Sequence, residues 1–183
     1  MDSADARKLQ RAHLLALRND LADRPAREAG LQRRVARWLA QADARVVGFY
    51  WPVRGEPDLR GPVAEWLAGD ARRLAALPVI VGDALEFHQW GPDSLVQAGA
   101  FGIPVPAHGR VVQPECLLIP CVGFDNARHR LGYGGGYYDR TFATLVPWPL
   151  AVGIAFEPLR VESIDPRPQD MQLDVVLTDA AQY

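Results

Sequence analysis

Leu14, Leu17 and Leu21 recur three and four residues apart within a charged segment, which predicts a helix over residues 4–22 with one apolar stripe. Arg7, Arg11 and Arg18 lie four and seven apart, so at about 100° per residue they gather within about 40° of one another and border that stripe. Arginines at this spacing read as a solvated basic edge, although their position beside the buried face leaves room for contact with a ligand. A second helix follows Pro25, with Leu31, Val35, Trp38 and Leu39 along one side. Val46-Val47-Gly48-Phe49-Tyr50 predicts a strand that runs into a proline- and charge-bearing loop over residues 51–58, a common place for a binding site in α/β proteins.

Residues 60–70 read as a helix, and residues 74–81 as a strand interrupted by Pro78. Residues 85–90 alternate apolar and polar, as a half-buried strand does. The glycine- and proline-rich stretch 91–114 reads as an ordered loop forming one wall of a cleft. The apolar run 116–124 predicts a buried strand, irregular at its end where Pro120 and Gly123 fall. Tyr137, Tyr138, Thr141, Phe142 and Leu145 recur at helical spacing until Pro147 forces a stop. Strands over 150–156 and 173–178 close the chain, and the loop between them carries Asp165 and Asp170. Strands alternating with helices predict a layered α/β fold with a largely parallel sheet, formed by residues 1–183 as a single domain.

Between the strand at 116–124 and the helix at 137 lies the most unusual stretch, Arg130-Leu131-Gly132-Tyr133-Gly134-Gly135-Gly136-Tyr137-Tyr138-Asp139-Arg140. Four glycines in five positions cost backbone entropy. In return the main chain can approach an anion closely and present bare N–H groups to it. The predicted order of strand, glycine loop and helix adds a helix dipole to that nest. A Walker loop is excluded, because Tyr137 and Tyr138 stand where lysine and a hydroxyl residue would follow the last glycine. The dinucleotide fingerprint is matched only loosely, since the polar run 125–129 separates the glycines from the strand.

Composition changes this picture little. The net charge of −2 gives no basic excess to suggest a nucleic-acid partner. The nineteen arginines against the single Lys8 leave only Lys8 for any Schiff-base chemistry. Cys116 and Cys121 share one predicted strand at a spacing that suits neither a redox pair nor a zinc half-site, so both read as core. His13, His88, His108 and His129 show no metal-ligand spacing. The charged N-terminus and the lack of a long apolar run lead to the expectation of a soluble, cytoplasmic protein with no membrane partner.

The glycine stretch, together with Gly123-Phe124-Asp125, Glu56-Pro57-Asp58-Leu59, Phe101-Gly102-Ile103-Pro104 and the closing residues 169–179, resembles the 5-formyltetrahydrofolate cyclo-ligase family in order and over nearly the whole chain. The resemblance implies a three-layer α/β/α fold related to sugar-phosphate isomerases and CoA transferases. It implies ATP and Mg²⁺ as cofactors and a folate substrate, and the chain is expected to be a monomer. Residue by residue, it implies that Arg130, Leu131, Gly132, Tyr133, Gly134, Gly135, Gly136, Tyr137 and Tyr138 wrap the ATP phosphates. Arg7, Lys8 and Arg11 of the first helix would assist them. Arg130 would be the charged clamp, and Tyr137 would sit where phosphate meets folate, so these two take the catalytic roles. Tyr50, Glu56, Phe101, Tyr133 and Tyr137 would contact the folate, and Asp139 and Asp170 would hold Mg²⁺.

Read without the resemblance, Asp139 is a helix-capping carboxylate, Asp170 a surface loop residue, and Phe101 and Tyr133 are turn or core positions. The chain departs from the family pattern at Tyr133 and Gly135, where some members carry basic residues, and at Gln169, where histidine is frequent. More of the phosphate charge then falls to Arg130, the helix arginines and Mg²⁺. Two rival functions are a binding module without turnover and a sugar-phosphate or CoA-dependent enzyme. The latter would have only Glu56 as its carboxylate.

Overall fold

The computed structural model describes residues 3–183. In chain order the elements are α1 (Ser3–Asn19), α2 (Arg24–Gln41), β1 (Val46–Gly48), α3 (Arg60–Ala68), β2 (Leu74–Val81), β3 (Ala84–Trp90), β4 (Val96–Ala98) and β5 (Pro104–Pro106). They continue with β6 (Cys116–Pro120), β7 (Gly123–Asp125), β8 (Arg130–Leu131), α4 (Tyr137–Phe142), β9 (Leu150–Ile154), β10 (Arg160–Val161) and β11 (Val175–Leu177). No helix among these is long and apolar enough to cross a membrane.

The period-two geometry of a strand explains the layering. Along β6, Cys116 and Leu118 enter one core while Leu117 and Ile119 enter the other. The first core also takes Leu14 from α1, Leu31, Val35 and Leu39 from α2, and Val63 and Trp66 from α3. The second takes Phe142 from α4 with Phe87, Phe124 and Ala151. A sheet buried on both faces needs near-continuous apolar strands, which is what residues 116–119 supply. The outer layer over the second core is thin, because α4 is only six residues long. Burial pushes the thiols of Cys116 and Cys121 up to about 12, as expected of inert core groups.

The main sheet has the order β11-β9-β6-β1-β2-β3, parallel except for β3, which forms an antiparallel hairpin with β2. From β1 the chain first goes outward to β2 and β3. It then returns to the other side of β1 as β6 and continues to β9 and β11. The loops leaving β1 and β6 therefore diverge, and their carboxyl ends flank the switch-point crevice that is the usual ligand position in such sheets.

Several details differ from the expectations. Pro78 does not interrupt β2, because β1 pairs only with Leu74, Ala75 and Ala76. Beyond that point β2 has an open edge where a missing N–H costs nothing. The stretch 91–114 is not without regular structure: β4 and β5 pair as a small antiparallel ribbon around a 3₁₀ turn over Ala100–Gly102. The strand expected over 116–124 is two strands, β6 in the main sheet and β7 in a second sheet of order β10-β7-β8. Residues 130–131, expected to open the glycine loop, instead pair as β8 with β7. The local order is therefore strand, hairpin, glycine loop, helix.

Candidate active site

Two loops meet over the crevice. The first leaves β1 and carries Glu56, whose side chain is 5% exposed. The backbone turns sharply at Arg54 and Gly55, both with positive φ. Arg24 donates to the carbonyls of Arg18 and Gly55 at 3.0 and 2.7 Å, which ties this turn to the end of α1. One oxygen of Glu56 accepts the Val53 amide at 2.9 Å, and the other accepts the Tyr133 hydroxyl at 2.7 Å. Burial raises the pKa of Glu56, and the hydrogen bonds from Tyr133 and Val53 oppose that rise, as do the Arg18 and Arg54 charges. Tyr50 is buried at the end of β1 and donates its hydroxyl to the Pro57 carbonyl at 2.9 Å. In this structure Tyr50 therefore braces the Glu56 loop.

The second loop is the glycine run after β8. Gly134 and Gly136 have φ of 97° and 68°, values that glycine alone adopts without strain. A Cβ on Gly134 would lie 3.4 Å from Cζ of Arg11, so the arginine packs against bare backbone there. Arg11 Nε also donates to the Gly132 carbonyl at 2.7 Å. Burial lowers the pKa of Arg11, and the neighbouring charges of Arg7 and Arg167 lower it further, which marks a crowded positive region. Gly136 precedes α4, and Asp139 falls in that helix's first turn, as expected. Six residues make a weak dipole, however, so the positive field here comes chiefly from guanidinium groups.

Beneath the loop, Arg130 is 7% exposed, lies over the Tyr138 ring at 5.5 Å, and donates through Nη2 to Oδ1 of Asp139 at 2.9 Å. Its Nε is buried with no hydrogen-bond partner. Asp139 Oδ1 also accepts the Met171 amide at 3.3 Å, which sets Asp139 beside the residue that follows Asp170. Asp170 pairs with Arg7 at 2.5 Å and accepts the Arg167 amide at 2.8 Å. Burial alone would raise the Asp170 pKa, but the Arg167 amide and the Arg7 guanidinium outweigh it and hold the carboxyl below its ordinary range.

Among the residues expected at the site, the structure thus gathers Arg7, Arg11, Arg130, Asp139 and Asp170 around the glycine loop, with Tyr50 and Glu56 beside it and Tyr133 of the loop itself bonded to Glu56. Tyr137 is half-buried with Arg140 over its ring at 5.1 Å. Lys8 is exposed on α1, about 100° around the helix from Arg7. Phe101 is 78% exposed at a φ of 55° on the turn between β4 and β5, so it lines no closed pocket in this structure.

Arg18 overturns the expectation of a solvated edge: it is 1% exposed and bonds to Tyr133. The available signal was its place at the border of the leucine stripe, four residues after Leu14. The partner that explains the burial lies 115 residues away in sequence. A cation site fits the donors present. Among the described residues no three His, Cys, Asp or Glu cluster, but Mg²⁺ commonly takes only one or two carboxylates, completed by phosphate and water. Asp139 and Asp170 are adjacent and bonded through one oxygen each, so the second oxygen of each can serve a cation.

A layered α/β sheet with an arginine-ringed glycine loop at its switch point defines the class, and solved structures share its fold. The 5,10-methenyltetrahydrofolate synthetase of Aquifex aeolicus superposes with a TM-score of 0.79 at 27% identity, covering 96% of this chain and 91% of that one. The corresponding synthetase of Mycoplasma pneumoniae gives 0.78 at 22% identity over 98% and 99%, a likeness of fold. A sequence profile of the 5-formyltetrahydrofolate cyclo-ligase family matches residues 3–179. The chain belongs to that family and is therefore a ligase of folate metabolism. The Haemophilus influenzae cyclo-ligase is 28% identical over 177 residues, covering 91% of this chain and 90% of that protein. The Mycolicibacterium smegmatis enzyme is 30% identical over 77% of this chain and 78% of its own length. The Mycoplasma pneumoniae enzyme is 40% identical over a 67-residue stretch that spans 40% of its length.

Proposed function

We propose that this protein uses ATP and Mg²⁺ to close 5-formyltetrahydrofolate to 5,10-methenyltetrahydrofolate, releasing ADP and phosphate. The observation that carries the reading is the hydrogen bond from Tyr133, inside the glycine loop, to Glu56 on the opposite loop. It brings a nest suited to phosphate and a carboxylate suited to the donor-rich edge of a pterin to the same crevice.

The formyl oxygen attacks the γ-phosphorus while the bond to ADP breaks. N10 then adds to the activated formyl carbon and loses its proton, and the C–O bond breaks to expel phosphate. Without phosphorylation that oxygen would be a poor leaving group. The protein's part is positioning and charge neutralisation, with no strong base required. Arg130, Arg7 and Arg11 would bind phosphate oxygens, the glycine amides would line the phosphate chain, and Glu56 would orient the folate. Tyr137 would lie between the two substrates. Mg²⁺ held by Asp139 and Asp170 would supply further neutralisation of the phosphates.

The ion pairs Arg7–Asp170 and Arg130–Asp139 support this economy of charge. Without ligand the arginines and carboxylates neutralise one another, and with MgATP each partner finds an opposite charge on the ligand.

Incubation with 5-formyltetrahydrofolate, Mg²⁺ and ATP should produce the near-ultraviolet band of the methenyl product. No band, or one whose growth ignores ATP, defeats the reading. Gly134→Ala tests the loop: alanine at a φ of 97° is strained by about 1–3 kcal/mol, although its Cβ would only touch Arg11 at 3.4 Å. Calorimetry should show MgATP affinity weakened roughly tenfold with folate affinity largely kept. An unchanged MgATP affinity would remove the loop from phosphate binding.

A further inference from the structure

Arg18 borders the leucine stripe of α1 and is buried with it. Its guanidinium is 1% exposed, and Nε and Nη1 have no hydrogen-bond partner. Only Nη2 is engaged, donating to the Tyr133 hydroxyl at 2.5 Å and to the Arg54 carbonyl at 2.9 Å. A side chain kept only for packing would not bury a cation with three of its five N–H donors unmet, because that burial is costly.

The direction of the hydrogen bonds gives the residue a task. A guanidinium can only donate, so the Tyr133 oxygen must accept from Arg18, and its single proton then goes to Glu56 Oε1 at 2.7 Å. The phenol is thereby fixed in one orientation. Arg54 and Arg18 both stand over the Tyr133 ring, at 5.3 and 5.6 Å, and restrain its plane. The same Nη2 holds the Arg54 carbonyl, at the positive-φ turn that delivers Glu56. Arg18 thus touches both loops of the crevice.

We infer that Arg18 is a positioning residue for folate recognition: through the Tyr133 hydroxyl it holds the Glu56 carboxylate in one orientation, and so sets the affinity for the folate without touching it. This rests on the proposed role of Glu56 toward folate. Burial raises the Glu56 pKa and the Arg18 charge opposes it, in agreement with such a role. ATP binding has no such dependence, since Arg11 bonds to the Gly132 carbonyl and Arg7 and Arg130 pair with Asp170 and Asp139, none of them through Arg18.

The test is calorimetry of 5-formyltetrahydrofolate and, separately, of MgATP with the full chain carrying Arg18→Met, Tyr133→Phe, both together, and Glu56→Gln. Arg18→Met should weaken folate binding about tenfold and leave MgATP affinity within about twofold. Its effect should largely vanish in the Tyr133→Phe background, because both substitutions break one relay. Unchanged folate affinity, an equal loss for both ligands, or full additivity with Tyr133→Phe each overturns the inference. If Arg18→Met does not fold, Arg18→Lys carries the same cycle: it keeps a cation and a donor and should lose less folate affinity. Additivity of Arg18→Lys with Tyr133→Phe is equally fatal. If Glu56→Gln binds folate like the native protein, the folate role of Glu56 fails and the inference falls with it. If Glu56→Gln loses affinity while Arg18→Met does not, only the inference falls.

Discussion

Replacing Arg130 by methionine should lower turnover by roughly a thousandfold, in the range found where an arginine neutralises a transferring phosphoryl group. The expectation follows from what this guanidinium can do that others nearby cannot. It is 7% exposed, so water screens its charge poorly, and its unpartnered Nε keeps a donor in reserve. The Tyr138 ring and the Asp139 carboxylate hold it at the root of the glycine loop. Charge that develops on phosphoryl oxygens would therefore meet a donor already oriented, with no reorganisation during the step.

The same substitution strips Asp139 of its ion-pair partner while the Met171 amide remains, so a stability loss of about 1–3 kcal/mol accompanies it. Arg130→Lys separates the two effects. A lysine retains the charge and should recover most of the stability. It lacks the planar fork, so it should recover little of the turnover. Single-turnover rates at saturating MgATP give the answer, and a rate within about tenfold of native for Arg130→Met would remove Arg130 from the phosphate.

How much of this was legible in the sequence depended on the distance over which each feature is determined. Leu14, Leu31, Val35 and Leu39 announce buried helix faces because periodicity is local, and the alternation of residues 116–119 between two cores follows from an unbroken apolar run. The two-residue strand β8 left no such trace, since its pairing is set by the hairpin from β7. β5 begins and ends on proline, which hides it from any strand propensity. In the site, the glycine loop is contiguous and carries a readable signature. The pairs that organise it join Arg7 to Asp170, 163 residues on, and Arg18 to Tyr133, 115 residues on. No spacing rule spans such separations, so Arg18 looked like one more arginine on a basic edge. Tyr50 and Glu56 were nominated together on resemblance, yet one braces the loop with its hydroxyl while the other faces Tyr133.

Glu56→Gln should weaken folate binding by about ten- to a hundredfold, the cost of exchanging a charged acceptor for a neutral amide, while MgATP affinity stays near native. The stability of the variant should move the opposite way as pH rises, and the sign can be worked out. Burial holds the folded-state pKa of Glu56 above its ordinary value of 4.5. Between those two values the native protein binds the proton that the unfolded chain has released, so native stability falls as pH climbs through the window. Glutamine has no proton to lose and escapes that decline. Denaturation curves should therefore show the difference between variant and native protein shifting in the variant's favour from acid to neutral pH. A difference independent of pH would mean that Glu56 is not strained by burial. The two outcomes together describe a site residue kept at the expense of stability: the buried carboxylate weakens the fold at neutral pH, and the folate contact is the function that would retain it.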